Sequence, residues 1–153
     1  MTSNEVVALL ARYGELIDVG DWDAIGELFA NGSLSDPNGK PFARGAREIA
    51  SFFRTNTLLH DGSPRTKHII SNTVIDETGP DTVVAHSSYV VLQAAPGFPL
   101  QPIITGRYHD EFKRAADGRL RFKDRRFFVD LEGDLTQHLA QPELAARRQI
   151  RAS

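Results

Sequence analysis

The stretch ITGRYHDEFK, residues 104–113, decides the fold. Its odd positions, Thr105, Arg107, His109, Glu111 and Lys113, are polar, while its even positions are Gly106, Tyr108, Asp110 and Phe112. Period two with one polar face is the signature of a strand whose other face is buried. That buried face carries a single carboxyl. An unpaired charge there would cost several kcal/mol, so Asp110 is expected beside a partner, a water or a ligand and is a site candidate. His109 points the other way and is set aside.

The same alternation extends on both sides. In RLRFKDRR, residues 119–126, Leu120 and Phe122 face inward, yet Phe127, Val129 and Leu131 continue the apolar series on the opposite parity. A β-bulge near Asp124 reconciles the two halves and turns either Arg125 or Arg126 into the interior. Half of this basic cluster is solvated and no aromatic residues interleave outward, so it reads as a charged sheet face rather than a nucleic-acid surface. Strands are expected over roughly 66–76, 82–93, 103–115 and 119–131, separated by turn signals at ETGPD, APGFPLQP and ADGR.

Upstream, the period becomes helical. Val6, Leu10, Tyr13 and Ile17 form one stripe of a helix over roughly 3–19, with Thr2 and Glu5 spaced as a capping box. Gly20 breaks it, and Asp21 can cap a second helix carrying Trp22, Ile25, Leu28 and Phe29 and ending at Asn31–Gly32. After SDPNGKPFARG, read as a Gly/Pro-rich turn, a third short helix carries Ile49, Phe52 and Phe53. Helices followed by antiparallel strands make an α+β class, one sheet covered on one face.

Composition sets the outer limits. The 153 residues suit one domain, 1–140, followed by a tail, 141–153, that reads as a helix or an oligomer arm. No cysteine is present, which removes disulfides, thiolate metal sites and cysteine nucleophiles. Eighteen Lys and Arg against twenty Asp and Glu give a net charge of −2, so no overall field draws nucleic acid or an anionic membrane. No apolar run approaches the roughly 20 residues that span a bilayer, and the N-terminus lacks a basic segment before a signal-type core; a cytoplasmic protein is expected.

Taken together, YGELIDVGDWDAIGELFA, RTKHIISN, TGRYHDEFKRAADGRLRFKDRR and GDLTQHL resemble the SnoaL-like branch of the nuclear-transport-factor-2-like (NTF2-like) superfamily, close to scytalone dehydratase and bile acid 7α-dehydratase. The resemblance covers nearly the whole chain. It implies a cone-shaped α+β barrel, N-terminal helices in the concave face of a strongly curved and mostly antiparallel sheet, one deep pocket, and a homodimer or homotrimer. It further implies pocket groups near the end of the first helix and on the first long strand, matched here by Tyr13, Asp18 and His68. A fourth polar group is implied on the second long strand, where this chain has Gln93, with Tyr89 four residues before it on the same face. Gln93 cannot exchange a proton at neutral pH, so Asp110 is the candidate to replace it.

The residues supply their own case. Asp18 flanks the buried stripe at a helix C-terminus, where a negative charge is unfavourable without a partner. A histidine would be that partner: an Asp accepting from one ring nitrogen fixes the tautomer and leaves the other nitrogen to move protons. His68 can equally be a core histidine bonded to a carbonyl, and Tyr13 can be stripe packing. The five histidines show neither an HxH pair nor HExxH spacing, so no metal is expected. Ser87 and Ser88 lack a nucleophile-elbow context.

The chemistry implied is proton transfer without a cofactor: dehydration, isomerisation or cyclisation of a hydrophobic cyclic, polyketide, steroid or aromatic substrate. Trp22, Phe52, Phe53, Tyr89, Leu92, Gln93, Phe98, Tyr108 and Phe112 are the expected substrate-binding residues. Two other roles fit the same fold, a non-catalytic small-molecule-binding protein and a structural small subunit of a ring-hydroxylating dioxygenase; the charged outer face of the third strand argues against the second.

Overall fold

The computed structural model describes residues 2–141. Three helices, α1 (Thr2–Val19), α2 (Trp22–Leu28) and α3 (Gly45–Asn56), pack against a six-stranded sheet. The strands are β1 (Ser33–Ser35), β2 (Pro41–Arg44), β3 (Thr66–Glu77), β4 (Thr82–Ala95), β5 (Phe98–Arg114) and β6 (Leu120–Glu132), in the order β2-β1-β6-β5-β4-β3. All pairings are antiparallel except β1 with β6. This is a cone-shaped α+β fold of the NTF2-like kind.

Each helix boundary has a local cause. Gly20 takes φ of 74° and ends α1, and the Asp21 carboxylate accepts from the Ala24 N–H at 3.1 Å to start α2. α2 and α3 touch at Gly26, where a Cβ would run into the Ala46 carbonyl oxygen, so only glycine permits that approach. The α1 stripe is buried as its spacing predicts: Val6, Leu10, Tyr13 and Ile17 all lie in the core.

The sheet curves because its long strands carry extra residues. β6 bulges at Lys123, between the pairs Phe112↔Phe122 and Glu111↔Asp124, and again at Asp130, between Gly106↔Val129 and Thr105↔Leu131. Each bulge bends the strand and reverses its parity. The first is the bulge expected beside Asp124, and it sends Arg125 inward. The second reverses parity once more, so Leu131 is exposed rather than continuing the inward series.

Three further expectations are corrected. SDPNGKPFARG is not only a turn: it contains most of the β1–β2 hairpin, whose three- and four-residue strands are too short to show a period. Glu5 does not close a capping box, because its carboxylate accepts from Arg114 Nη1 and the Leu120 N–H. The second helix stops at Leu28, before Asn31–Gly32. Of the expected tail, residues 142–153 lie outside the described residues. No described helix is long and apolar enough to cross a membrane.

Candidate active site

The concave face encloses a cavity of about 460 Å³, toward the lower end of the ~300–1,000 Å³ typical of small-molecule sites. α1 supplies Tyr13 and Ile17, α3 supplies Phe52 and Phe53, and the sheet supplies His68, Tyr89, Val91, Tyr108 and Phe127. The segment after β6 closes one side with Leu135, His138 and Leu139.

At the end of α1 the Asp18 carboxylate reaches β3 and is held four ways. Oδ1 accepts from the His68 ring Nδ1 at 2.7 Å and from the Thr66 hydroxyl at 3.0 Å, and the His68 backbone N–H donates to both oxygens at 3.0 and 3.1 Å. Burial pushes this carboxyl up, but the His68 and Thr66 hydrogen bonds and the His68 charge outweigh it and hold the group below the usual Asp value. A carboxylate only accepts, so Nδ1 carries a proton, and in the neutral ring the lone pair lies on Nε2. Asp18 stands behind the ring; His68 is the member of the pair that lines the cavity.

Tyr13 and Tyr108 also line it, their rings 5.8 Å apart and edge to face. Burial pushes both phenols up, Tyr108 well above the ordinary value, against the opposing charge of Arg125. Both therefore stay protonated at neutral pH. Tyr89 is committed elsewhere, its hydroxyl donating to the Phe128 carbonyl at 2.9 Å.

Asp110 is not a cavity group. It is sealed in the core with Arg125, which donates to it twice, Nε to Oδ1 at 2.7 Å and Nη2 to Oδ2 at 2.8 Å, both side chains having no exposure. Burial pushes the Asp110 carboxyl up and the guanidinium opposes it. That guanidinium also lies 3.8 Å over the Tyr108 ring and 4.1 Å over the Tyr13 ring. The partner expected for Asp110 is thus the inward arginine itself.

Other expected binding residues fall outside the lining. Gln93 is wholly buried, its Nε2 donating to the carbonyls of Pro64 at 3.0 Å and Gln137 at 2.9 Å. Phe112 lies in the core against Phe122, and Trp22 stacks behind Phe53 with ring centroids 6.2 Å apart. Phe98 sits at the start of β5, away from the lining, and Leu92 faces the opposite side of β4 from Val91. Phe52, Phe53, Tyr89 and Tyr108 do line the cavity. His109, set aside as outward, stacks on His86 at 4.0 Å between centroids.

His138 is a lining residue that the sequence did not single out as a site group. It is 8% exposed, its ring centroid is 6.4 Å from that of His68, and its Nδ1 has no partner among the described residues. Burial, reinforced by the nearby His68, pushes its pKa down to about 4. No period marks the segment that carries it. The one available signal was its position in GDLTQHL, immediately after the last strand.

The charged lining groups are already engaged within the protein. Arg107 and Asp130 pair with each other at 3.0 Å, and the Asp36 carboxylate accepts from the Asn38 and Lys40 N–H groups of its own turn. No unpaired Lys or Arg among the described lining residues would meet a carboxylate or phosphate, and no cluster of three or more described His, Asp or Glu could hold a metal ion.

A family model described as a SnoaL-like domain matches residues 2–126. This chain belongs to the SnoaL-like domain family. Solved structures share the SnoaL-like fold at low identity. ActVI-ORFA from Streptomyces coelicolor is 18% identical with a TM-score of 0.69, over 84% of this chain and 97% of that one. A proposed scytalone dehydratase from Novosphingobium aromaticivorans is 18% identical with a TM-score of 0.68, over 87% of each chain. The β subunit of a proposed aromatic-ring-hydroxylating dioxygenase from the same organism is 22% identical with a TM-score of 0.66, over 88% and 94%. At such identity these likenesses establish the SnoaL-like fold alone.

Proposed function

We propose that this SnoaL-like domain is a cofactor-independent acid/base lyase or isomerase, of the dehydratase type, acting on a neutral, hydrophobic, cyclic substrate. The observation that carries the reading is the Asp18–His68 pair: an imidazole fixed at 2.7 Å by a carboxylate and lining an apolar hollow of about 460 Å³. In this reading His68 Nε2 takes a proton from the carbon next to a carbonyl, and Asp18 stabilises the imidazolium that forms. The C–H electrons become the new C=C bond as the carbonyl electrons move onto oxygen. In a dehydration, collapse of that enolate breaks the β C–O bond, and the departing hydroxyl takes the proton from the His68 imidazolium and leaves as water; in an isomerisation the imidazolium returns the proton to another carbon. The aromatic walls and the absence of an unpaired Lys or Arg among the described lining residues favour a flat neutral ring system. The dehydratase name of one structural neighbour points the same way.

The test is a screen of neutral bicyclic β-hydroxy-ketones, following enone absorbance, with wild type, Asp18→Asn and His68→Ala. Turnover by wild type is expected, with kcat falling about 10²- to 10⁴-fold in His68→Ala. Equal rates in wild type and His68→Ala would remove the imidazole from the chemistry.

A further inference from the structure

Within the acid/base reading, the donor that holds the substrate oxygen while His68 works on carbon is still to be assigned, because the Tyr13 and Tyr108 phenols, though they line the cavity, are hydrogen-bonded to each other. Asp110 is sealed against Arg125, Gln93 is spent on two carbonyls, and the Tyr89 hydroxyl is bound to Phe128. Four buried side-chain polar atoms lack a partner among the described residues: Ser87 Oγ, Gln93 Oε1, Arg125 Nη1 and His138 Nδ1. Of their residues, only His138 lines the cavity.

The two ring nitrogens of His138 differ. Nδ1 is enclosed without a partner, which leaves Nε2 as the nitrogen able to reach the cavity. An enclosed lone pair is better tolerated than an enclosed N–H, since orphaned buried N–H groups are rare, so the proton belongs on Nε2. The two imidazoles then face the hollow with complementary roles: His68 shows a lone pair and His138 shows an N–H. Their ring centroids are 6.4 Å apart, no hydrogen bond joins them and both line the same cavity, so a C–C=O unit in that cavity can face both, its carbon toward one ring and its oxygen toward the other.

We propose that His138 is a catalytic residue that donates Nε2–H to the carbonyl oxygen of an enolisable ketone, opposite the base His68. This rests on the acid/base reading and adds the substrate class: a neutral ketone bearing a removable proton on the adjacent carbon. As His68 removes that proton, the oxygen gains negative charge where the His138 N–H already stands. The ring stays neutral throughout, its basicity depressed by burial, and it donates a hydrogen bond rather than a proton.

Its placement is fixed by neighbours that touch no substrate. The Gln137 carbonyl accepts from Gln93 Nε2 at 2.9 Å and from the His60 ring at 2.7 Å. The His138 carbonyl accepts from the Leu58 N–H at 2.8 Å, and the His138 N–H donates to the Leu135 carbonyl at 3.0 Å. Gln93 is therefore a positioning residue. At the strand position where the family resemblance implied a titrating group, it anchors the segment that delivers one.

The probe is 2-tetralone, whose proton exchange at C1 in D₂O is read by NMR and needs no leaving group. Wild type should accelerate exchange and His68→Ala should abolish the acceleration. His138→Leu should lose about 10²- to 10³-fold in kcat, the cost of one donor to a developing oxyanion, with KM within about threefold. His138→Gln, which keeps an N–H donor, should recover at least tenfold of that loss. Exchange by His138→Leu as fast as wild type, with His68→Ala inactive, overturns the inference and spares the acid/base reading. Equal falls in His138→Leu and His138→Gln also overturn it, since a structural role would not distinguish them. No acceleration by wild type overturns both. Independently, ¹⁵N NMR should show the Nε2–H tautomer for His138; the Nδ1–H tautomer would refute the proposal.

Discussion

Acidification should weaken this fold through His138, and the size of the effect can be worked out. In the unfolded chain an imidazole titrates near 6.5; in the folded chain burial and the neighbouring His68 hold His138 at about 4. The folded pKa is the lower one, so between these values the unfolded state binds the proton and the folded state does not. Stability from the neutral ring is therefore complete above pH 6.5 and lost as pH falls toward 4. Integrating between the two titrations gives a loss of about 2 kcal/mol at pH 5, approaching ~3 kcal/mol at pH 4. Only 8% of the residue is exposed, so solvent screening removes little of this. Asp18, whose folded pKa is also lowered, loses its own contribution over the lower range, as pH falls through the folded value, so a single pH series mixes the two. The assay is urea unfolding of wild type and His138→Gln at pH 7.5, 6, 5 and 4.5. The gap between the two proteins should close or reverse by about 2 kcal/mol between pH 7.5 and 5. Parallel curves would refute the enclosed, neutral ring.

The buried pair offers a second test. Asp110→Asn or Arg125→Met alone should cost about 3–5 kcal/mol, because each leaves a charge in the core without its partner; the double variant should recover much of that in the same unfolding assay. Gly106→Ala should be at least as damaging as ordinary overpacking, about 1–3 kcal/mol, since its Cβ would strike the Phe128 carbonyl oxygen and the Tyr89 hydroxyl; a wild-type melting temperature would contradict that contact. Tyr89→Phe removes only the bond to that carbonyl and should cost about 1 kcal/mol in urea unfolding.

Sequence carried the long elements because their periods outlast local noise. Eighteen residues of α1 repeat the stripe enough times to fix its buried face, and the parity break in β6 implied the bulge and an inward arginine, leaving Arg125 and Arg126 undistinguished. The Asp18–His68 contact was legible for a different reason. A carboxylate at a helix C-terminus is a local fault that demands a remedy elsewhere, and a histidine inside a strand is one. Illegible features shared one property, that three-dimensional closure decides them. Nothing in the alternation of β5 says that Asp110 lies beyond the cavity wall, because parity gives the face and not the depth along it. Phe112 failed for the same reason, being two residues further along the same face and against Phe122. Gln93 shows the limit most clearly: its face was right, but a loop 44 residues away occupies the space in front of it.

Depth along the cone explains why one interior holds two polar systems with opposite duties. Past Tyr13 and Tyr108, Asp110 and Arg125 satisfy each other with two short hydrogen bonds and no exposure. Arg125 Nη1 has no partner among the described residues, but the guanidinium is enclosed with no exposure and lies against the faces of the two phenol rings, so the pair offers nothing to a ligand in the cavity. On the cavity side the pairing is left incomplete. Asp18 is saturated by His68 and Thr66, whereas the buried His138 Nδ1 has no partner among the described residues. Unsatisfied polarity in a closed core is costly, so it survives where something other than stability uses it. The phenol pair is the partition between the two. If that partition matters to chemistry, Tyr108→Phe should leave the Asp110–Arg125 pair and the fold intact yet change ketone exchange rates, whereas Phe122→Leu, on the sealed side, should lower stability without touching the rate per folded molecule.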